Sequence, residues 1–145
     1  MAVEYGNVQD QTVEDNQNVL FDNVIPCTRG LILHGNGSGI FTIKPKVTNP
    51  CAKYVGLLVL FHGNVSIPAG GTPVPISFAI SINGEADQTV VATTTPTVAE
   101  ALFNIGFAKL VLIPVGCCTQ IAVKNITGAA VDVNKPHLII MPPTN

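Results

Sequence analysis

One segment of the chain, residues 54–61 (YVGLLVLF), is apolar on both of the faces that a β-strand would present. In a half-buried antiparallel strand only every second side chain is apolar, because successive side chains point to opposite faces of the sheet. Here Tyr54, Leu58 and Leu60 on one parity are as apolar as Leu57 on the other. One face can fill a core, and the other then needs a second partner. In a chain of 145 residues, the simplest second partner is another copy of the same chain.

The composition supports a surface that is covered by other subunits. Only 11% of the residues are charged and 47% are hydrophobic, whereas about 25% charged residues is usual for a globular domain. The longest apolar stretches, residues 55–61 and 110–118, are far shorter than the roughly 20 residues of a membrane-spanning helix. The polar N-terminus also lacks the charged and then apolar pattern of an export signal. We therefore expect subunit contacts and no membrane insertion.

The charge distribution argues against nucleic acid as a partner. The net charge is −2, Arg29 is the only arginine, and the lysines are scattered singly. Binding to a phosphate backbone requires clustered Lys and Arg side chains that release counterions. The first twenty residues contain four acidic side chains and no basic one, so they are also unlike the basic arm of a genome-packing protein.

The N-terminal segment differs from the remainder of the chain. It is rich in Gln, Asn, Asp and Glu and shows no apolar periodicity, which is typical of a segment that cannot order itself alone. The sequence therefore predicts an acidic, polar arm over residues 1–17 and one domain over residues 18–145. The apolar residues of this arm are its expected docking contacts with a larger partner: Val3, Tyr5, Val8 and Val13.

From residue 18 onward, short apolar runs recur between Gly, Pro and Asn, which is the pattern of an all-β sandwich or barrel. The Asn83-Gly84 pair after an alternating run is a strong hairpin signal. Residues 97–103 are expected to form a single helical turn, because Thr97 with Glu100 three residues later resembles a capping box. Ten strands are predicted: residues 19–25, 30–34, 40–44, 53–63, 74–82, 88–93, 108–115, 119–125, 130–133 and 137–141.

No set of residues indicates catalysis, a cofactor or a metal site. The glycine-rich run at residues 34–39 (HGNGSG) lacks the Lys-Ser/Thr ending of a phosphate-binding loop, so we interpret it as a turn. Glu85 and Asp87 are expected at a solvated hairpin tip. The three histidines, His34, His62 and His137, are interpreted as strand-end or interface residues. We therefore expect a protein that is not an enzyme.

The four cysteines leave three interpretations open. Cys27 and Cys51 each lie beside a proline, and Cys117 and Cys118 are adjacent in sequence. Thiols packed as small apolar groups are one interpretation. The second is a disulfide, either between Cys27 or Cys51 and the adjacent pair or between subunits. A structural zinc site is the third and is disfavoured by the absence of a Cys-x-x-Cys motif.

The order of these runs resembles the jelly roll of tumour necrosis factor (TNF) and of the globular heads of complement and collagen-like proteins. The matching features are Gly39-Ile40-Phe41 before Tyr54, ISFAISING at 76–84, LVLIPVGCCTQIAVKN at 110–125 and HLIIM at 137–141. The resemblance implies a ten-stranded antiparallel jelly-roll sandwich that forms a homotrimer. It also implies which residues line the trimer axis: Tyr54, Leu58 and Leu60, Val111 and Ile113 or their neighbours, and Ile139 and Met141.

Three further segments resemble a bacterial and bacteriophage branch of this fold: IPCTRG at 25–30, LHGNGSGIFT at 33–42 and PVGCC at 114–118. Members of this branch are heads of collagen-like surface proteins or small virion proteins. The chain shows no Gly-x-y repeat before the head. We therefore expect a trimeric capsid-decoration or head-fibre protein on the exterior of a bacteriophage virion, docked through residues 1–17.

A different class of function remains open beside this expectation. The chain would then be a binding module on a phage, a bacterial cell or a spore, and it would recognise a host surface or glycan. The loops expected to carry this recognition are residues 64–73 and 85–88.

Overall fold

The computed structural model describes residues 2–25, 31–45, 51–116 and 118–141. These residues form β-strands joined by turns and loops, and none of them is helical. The strands are β1 (Val3–Gly6), β2 (Gln11–Val13), β3 (Asp22–Ile25), β4 (Ile32–Leu33), β5 (Phe41–Ile43), β6 (Tyr54–Ser66), β7 (Ile76–Ile82), β8 (Glu85–Thr94), β9 (Phe103–Pro114), β10 (Thr119–Asn125) and β11 (Val131–Met141).

The strands form two antiparallel sheets that pack face to face. The six-stranded sheet has the order β3-β1-β11-β6-β9, and β2 pairs with the other end of β11. The five-stranded sheet has the order β4-β5-β10-β7-β8. The expected all-β jelly-roll sandwich is therefore confirmed. Between the sheets lies a single apolar core in which Phe21, Phe41, Phe61 and Phe78 are in ring contact.

The long central strand β6 explains why its sequence is apolar on both parities. Leu57, Val59 and Phe61 point into the core and are buried, whereas Leu58 and Leu60 lie on the opposite side of the sheet. β6 pairs with β11 on one side and with β9 on the other, so it lies inside the six-stranded sheet. The core of one chain explains why the inward residues of β6 are apolar. It does not explain why the outward residues are apolar.

The predicted N-terminal arm is wrong, because this segment belongs to the sandwich. β1 lies between β3 and β11, and β2 pairs with β11. Of the four expected docking residues, Val3 and Tyr5 are each 1% exposed and Val13 is 3% exposed, so they are core residues. Only Val8, at 84% exposed, is available to a partner. The predicted domain boundary at residue 18 therefore does not exist in the structure.

Hydrogen bonds from a buried asparagine hold this segment against the core. Asn125 on β10 is fully buried, and its side-chain amide donates hydrogen bonds to the carbonyl oxygens of Val13 and Ala129, each at 2.9 Å. Its side-chain oxygen accepts a hydrogen bond from the backbone N–H of Thr127 at 2.9 Å. Because these groups are buried, each needs its partner to avoid the cost of an unpaired polar atom.

Two further predicted elements differ from the structure. Residues 97–100 form a bend and a turn instead of a helical turn, β9 begins at Phe103, and the backbone N–H of Glu100 donates to the carbonyl oxygen of Ile67 at 2.9 Å. The last two predicted strands are one strand, β11, with a bulge between Asn134 and His137. Pro136 lacks an N–H for the sheet, which is why the sequence appeared to break there.

Candidate functional site

The outward side of the six-stranded sheet carries a contiguous group of apolar side chains. The strand register brings them together: Leu58 lies opposite Leu110 on one side and Met141 on the other, and Leu60 lies opposite Ala108 and Ile139. Gly56 and Leu112 form the next pair. We define the apolar face as the following set: Tyr54, Leu58, Leu60, Ala108, Leu110, Leu112, Ile139 and Met141.

Every side chain of the apolar face is at least partly exposed in the isolated chain. Tyr54, Leu110 and Leu112 retain 58–60% of their accessible surface. Single exposed apolar residues are ordinary on protein surfaces, but a contiguous group across three strands indicates an interaction site. Five of the seven residues predicted for the trimer axis belong to this face: Tyr54, Leu58, Leu60, Ile139 and Met141.

For the other two positions the prediction named Val111 and Ile113 or their neighbours, and the structure favours the neighbours. Val111 and Ile113 are 1% and 0% exposed, because they point into the core of their own chain. Their neighbours Leu110 and Leu112 occupy the outward positions instead. The run LVLI is apolar on both parities, so it does not reveal which side faces inward. The preceding alternation, with Phe107 inward and Gly106 outward, is the signal that sets the parity.

The outward side becomes polar toward one end. His62 lies opposite His137 with ring centroids 5.1 Å apart, and His137 Nε2 lies 2.6 Å from Glu4 Oε1. In the next row, the Asn104 side-chain amide donates to the side-chain oxygen of Asn64 at 3.1 Å. We call this group the polar band: Glu4, His62, Asn64, Asn104 and His137. The surface thus changes from leucine to histidine and asparagine along the strands.

Glycines flank the histidine pair in the same row of the sheet. Gly6 lies opposite His137, and Gly106 lies opposite His62. A Cβ atom at position 106 would lie 2.6 Å from the carbonyl oxygen of Phe61 and 3.1 Å from the Cβ of His62. A side chain at position 106 therefore requires the backbone to move, and glycine leaves His62 open to an approaching partner.

The third histidine lies in a different environment. The ring of His34 stacks on Phe41 with centroids 4.2 Å apart, and its Nε2 lies 2.8 Å from the carbonyl oxygen of Ser38. Its Nδ1 lies 2.7 Å from the side-chain oxygen of Asn23. Burial lowers the pKa of His34 from its usual value, although the contact with Ser38 and the charge of Asp22 oppose this. These contacts connect the glycine-rich loop to β3.

The carboxylates at the β7–β8 hairpin have structural contacts. Asp87 accepts hydrogen bonds from the hydroxyl and N–H of Thr89, which lower its pKa, and it lies 3.2 Å from Lys109 Nζ on β9. Glu85 is exposed. Within the part of the chain that the structure describes, no three His, Cys, Asp or Glu side chains are arranged to hold a metal ion.

The cysteine hypotheses stay predictions. Cys51 and Cys118 are exposed. Cys27 and Cys117 lie outside the described residues.

The two loops predicted for recognition lie far apart. Residues 64–66 are the end of β6 and residues 85–88 are the start of β8, so only residues 67–73 form a loop as predicted. This loop precedes β7, which contains seven residues, and residues 85–88 follow it. At about 3.3 Å per residue, the two segments are separated by about 20 Å. Within one chain they form two surfaces instead of one site.

Comparison with known proteins identifies the fold. No protein-family model and no curated protein matches the chain. Among solved structures, the globular domain of zebrafish complement 1qA protein is similar with a TM-score of 0.65 and 8% identity, covering 97% of this chain and 94% of that one. Eiger TNF from S. frugiperda has a TM-score of 0.63 and 12% identity, covering 100% and 93%. Murine APRIL at pH 8.5 has a TM-score of 0.61 and 12% identity, covering 97% and 98%.

These similarities extend over nearly the whole chain and show a TNF-like and complement-like jelly roll. At 8–12% identity they establish the fold alone. Among the described residues there is no helix of the length and apolarity needed to cross a membrane.

Proposed function

We propose that this chain is a structural protein that forms a homotrimer through the apolar face. The observation that carries this proposal is the contiguous outward group of leucines on β6 and β9, with Ile139 and Met141 beside it. Covering these side chains with a second copy removes apolar surface from water, which stabilises the assembly by about 25 cal/mol per Å².

The chemistry of the face fits a copy of itself. The apolar face contains no charged side chain, so identical copies meet there without repulsion between like charges. A contact between two different edges of the same face closes into a ring when the rotation between neighbouring copies divides a full turn, because each copy then offers both edges to its neighbours. The TNF-like fold and the resemblance of the strand motifs to trimeric heads favour a ring of three.

The assembly is tested by hydroxyl-radical footprinting of Tyr54 and Met141. In the full chain above its assembly concentration, we expect both side chains to be oxidised several-fold more slowly than in the Leu110→Asp variant, where the face stays open. Val98 is exposed and lies in the loop before β9, so it serves as the internal reference. Equal oxidation of Tyr54 in both proteins would contradict a covered face.

The larger structure to which the trimer belongs is proposed to be a bacteriophage virion, with the trimer on the capsid exterior. The support is the sequence resemblance of residues 25–30, 33–42 and 114–118 to the bacteriophage branch, together with the low charge. Attachment through residues 1–17 is not retained, because Val3, Tyr5 and Val13 are core residues.

The virion proposal is tested with antibodies raised against the purified full chain. Particles released from cells that carry the gene are imaged by immunogold electron microscopy. Gold on the capsid exterior, with a copy number per particle divisible by three, is the expected result. Confinement of the chain to the particle-free supernatant would contradict the proposal.

Recognition of a host surface or glycan is a second candidate function. The observation that favours it is the exposure of residues 69–73 in the loop before β7. A glycan array probed with the full chain and with a variant in which residues 69–73 are replaced by Gly and Ser tests it. Binding that disappears in the variant would support recognition by this loop, and absence of binding by the full chain would contradict it.

A further inference from the structure

The polar band places two histidines side by side at the edge of a face that the proposed trimer covers. His62 and His137 lie directly opposite each other on β6 and β11, with ring centroids 5.1 Å apart. His62 is exposed in the isolated chain, and the side chain of His137 retains 29% of its accessible surface. Both rings therefore reach water in the free chain, and they continue the surface formed by Leu60 and Ile139.

Few charged groups surround this pair. On β1, Glu4 Oε1 contacts His137 at 2.6 Å. On β9, the outward positions nearest the pair are occupied by Gly106 and Ala108, which carry no charge.

The other charged groups near the band lie on the same strand or farther along the sheet. Lys135 is exposed in the bulge of β11, and Asp132 near the start of β11 accepts a hydrogen bond from Thr12 at 2.7 Å. On β3, the charge of Asp22 partly offsets the lowering of the His34 pKa by burial. Among the described residues, the carboxylate of Glu4 thus contacts the histidine pair directly, and it does so at His137.

We propose that protonation of this histidine pair controls assembly of the chain, so that copies associate at neutral pH and separate in mild acid. This inference rests on the proposed self-association through the apolar face. A histidine gains its proton near pH 6.5, within the range in which a small change of environment alters its charge. In the free chain, water stabilises the charge on His62. In the assembly, a neighbouring copy removes that water and brings further histidines close.

The sign follows from proton binding in the two states. Two imidazolium ions about 5 Å apart repel each other, and removal of water strengthens this repulsion. Glu4 offsets one positive charge per chain but not the second. The free chain therefore binds more protons than the assembled chain. By linkage, acid favours the free chain.

Proton binding is better supported than metal binding at this site. Within the described residues of one chain, no three potential ligands are arranged around a metal position. The contact between His137 and Glu4 also occupies one of the two ring nitrogens through which this imidazole could bind a metal.

The experiment measures the molar mass of the full chain by light scattering at pH 7.5 and pH 5.5 over a range of concentrations. We expect the concentration of half-assembly to rise about tenfold or more between the two pH values, because each released proton weakens association about tenfold per pH unit below the histidine pKa. Far-UV circular dichroism at both pH values verifies that the chain stays folded.

Two variants change the response in opposite directions. His62→Gln removes the unpaired charge, and we expect its half-assembly concentration to change less than about threefold between pH 7.5 and pH 5.5. Glu4→Gln removes the carboxylate that offsets one imidazolium charge per chain, so assembly must release more protons and its dependence on pH is expected to be steeper than in the unaltered chain. A variant that merely disturbs packing would weaken assembly equally at both pH values.

The outcomes separate this inference from the proposed function. A chain that is monomeric at every pH contradicts self-association itself. Assembly that is equally strong at pH 7.5 and pH 5.5 leaves self-association intact and overturns the control by protonation. Acid-induced separation that persists unchanged in His62→Gln also overturns it, because another group would then be responsible.

Discussion

The two sheets share one core but have different outward sides. The outward side of the six-stranded sheet carries the apolar face, with leucines at positions 58, 60, 110 and 112. The outward positions of the three inner strands of the five-stranded sheet carry small or polar side chains, and the edge strands β4 and β8 add Leu33 and Val91. The inner-strand positions are Thr42, Ser77, Ala79, Ser81, Gln120, Ala122 and Lys124. Of these, Ala79, Ser81 and Ala122 are already covered within the chain.

This difference shows that the apolar face is not a by-product of a hydrophobic composition. The chain is 47% hydrophobic, yet the inner strands of the five-stranded sheet carry no large apolar side chain on their outward side. Ser77 and Thr93 pair their hydroxyl groups there at 3.1 Å, and Lys124 Nζ donates to the carbonyl oxygen of Gly84 at 2.6 Å. One sheet therefore has the features of a solvated surface, and the other has those of an interface.

The largest expected effect distinguishes the two exteriors directly. Leu110→Asp places a carboxylate in the apolar face of every copy, and we expect association to weaken about 100-fold or more, as for a buried interface residue. Gln120→Asp makes the matched change on the five-stranded sheet and is expected to leave association unchanged. Sedimentation velocity measures both. Equal weakening by the two variants would remove the distinction between the sheets.

The next prediction concerns the inward side of β1 and asks whether the N-terminal segment supports the six-stranded sheet. Tyr5→Ala removes a buried aromatic side chain, so the free energy of unfolding is expected to fall by about 3–5 kcal/mol. Val8→Ala, in the same segment, alters an exposed side chain and is expected to change the free energy of unfolding by less than about 0.5 kcal/mol. Urea denaturation measures both. If Tyr5→Ala were as stable as Val8→Ala, the segment would be an arm after all.

Adjacent residues of β9 sharpen the contrast between core and interface. Ile113→Ala empties part of the core and is expected to lower the free energy of unfolding by about 2–5 kcal/mol. Leu112→Ala is expected to change the unfolding of the dissociated chain by less than about 0.5 kcal/mol while weakening association. Denaturation at a concentration at which the chains are dissociated measures the change in unfolding free energy without a contribution from association. A larger loss for Leu112→Ala would reverse the assigned parity.

The smallest expected effect is the effect of acid on the stability of the fold. Burial lowers the pKa of His34, so the unfolded chain binds a proton more readily than the folded chain. This contribution to stability is complete above the usual histidine pKa and is lost as pH falls toward the lowered value. Denaturation of the dissociated chain between pH 7.5 and pH 5.5 should show a modest decline that is reduced in His34→Gln. An increase in stability with acid would contradict the assignment.

The sequence predicted the parts of the molecule in which local pattern and burial agree. The bounds of β10 match at residues 119–125, and the outward position of Leu58 and Leu60 followed from the doubled apolarity of their strand. Turn signals such as Asn83-Gly84 were reliable because their backbone angles are local properties: both residues have positive φ.

The errors arose where long-range pairing decides the structure. β1 has only four residues, and its burial depends on β11, more than 130 positions away in the chain. Its polar surroundings therefore concealed the inward alternation of Val3 and Tyr5. In β9, the residues of the run LVLI are equally apolar, so only the alternation before it identifies the inward side. The histidine pair required the β6–β11 register, which no local pattern contains.

The molar mass of the full chain in solution tests the central claim most directly. Light scattering at neutral pH is predicted to give three times the 15.2 kDa of one chain, because the apolar face is covered by two further copies. A mass of one chain at all concentrations would show that the exposed leucines of the six-stranded sheet do not bind a copy of the protein, and it would contradict the account.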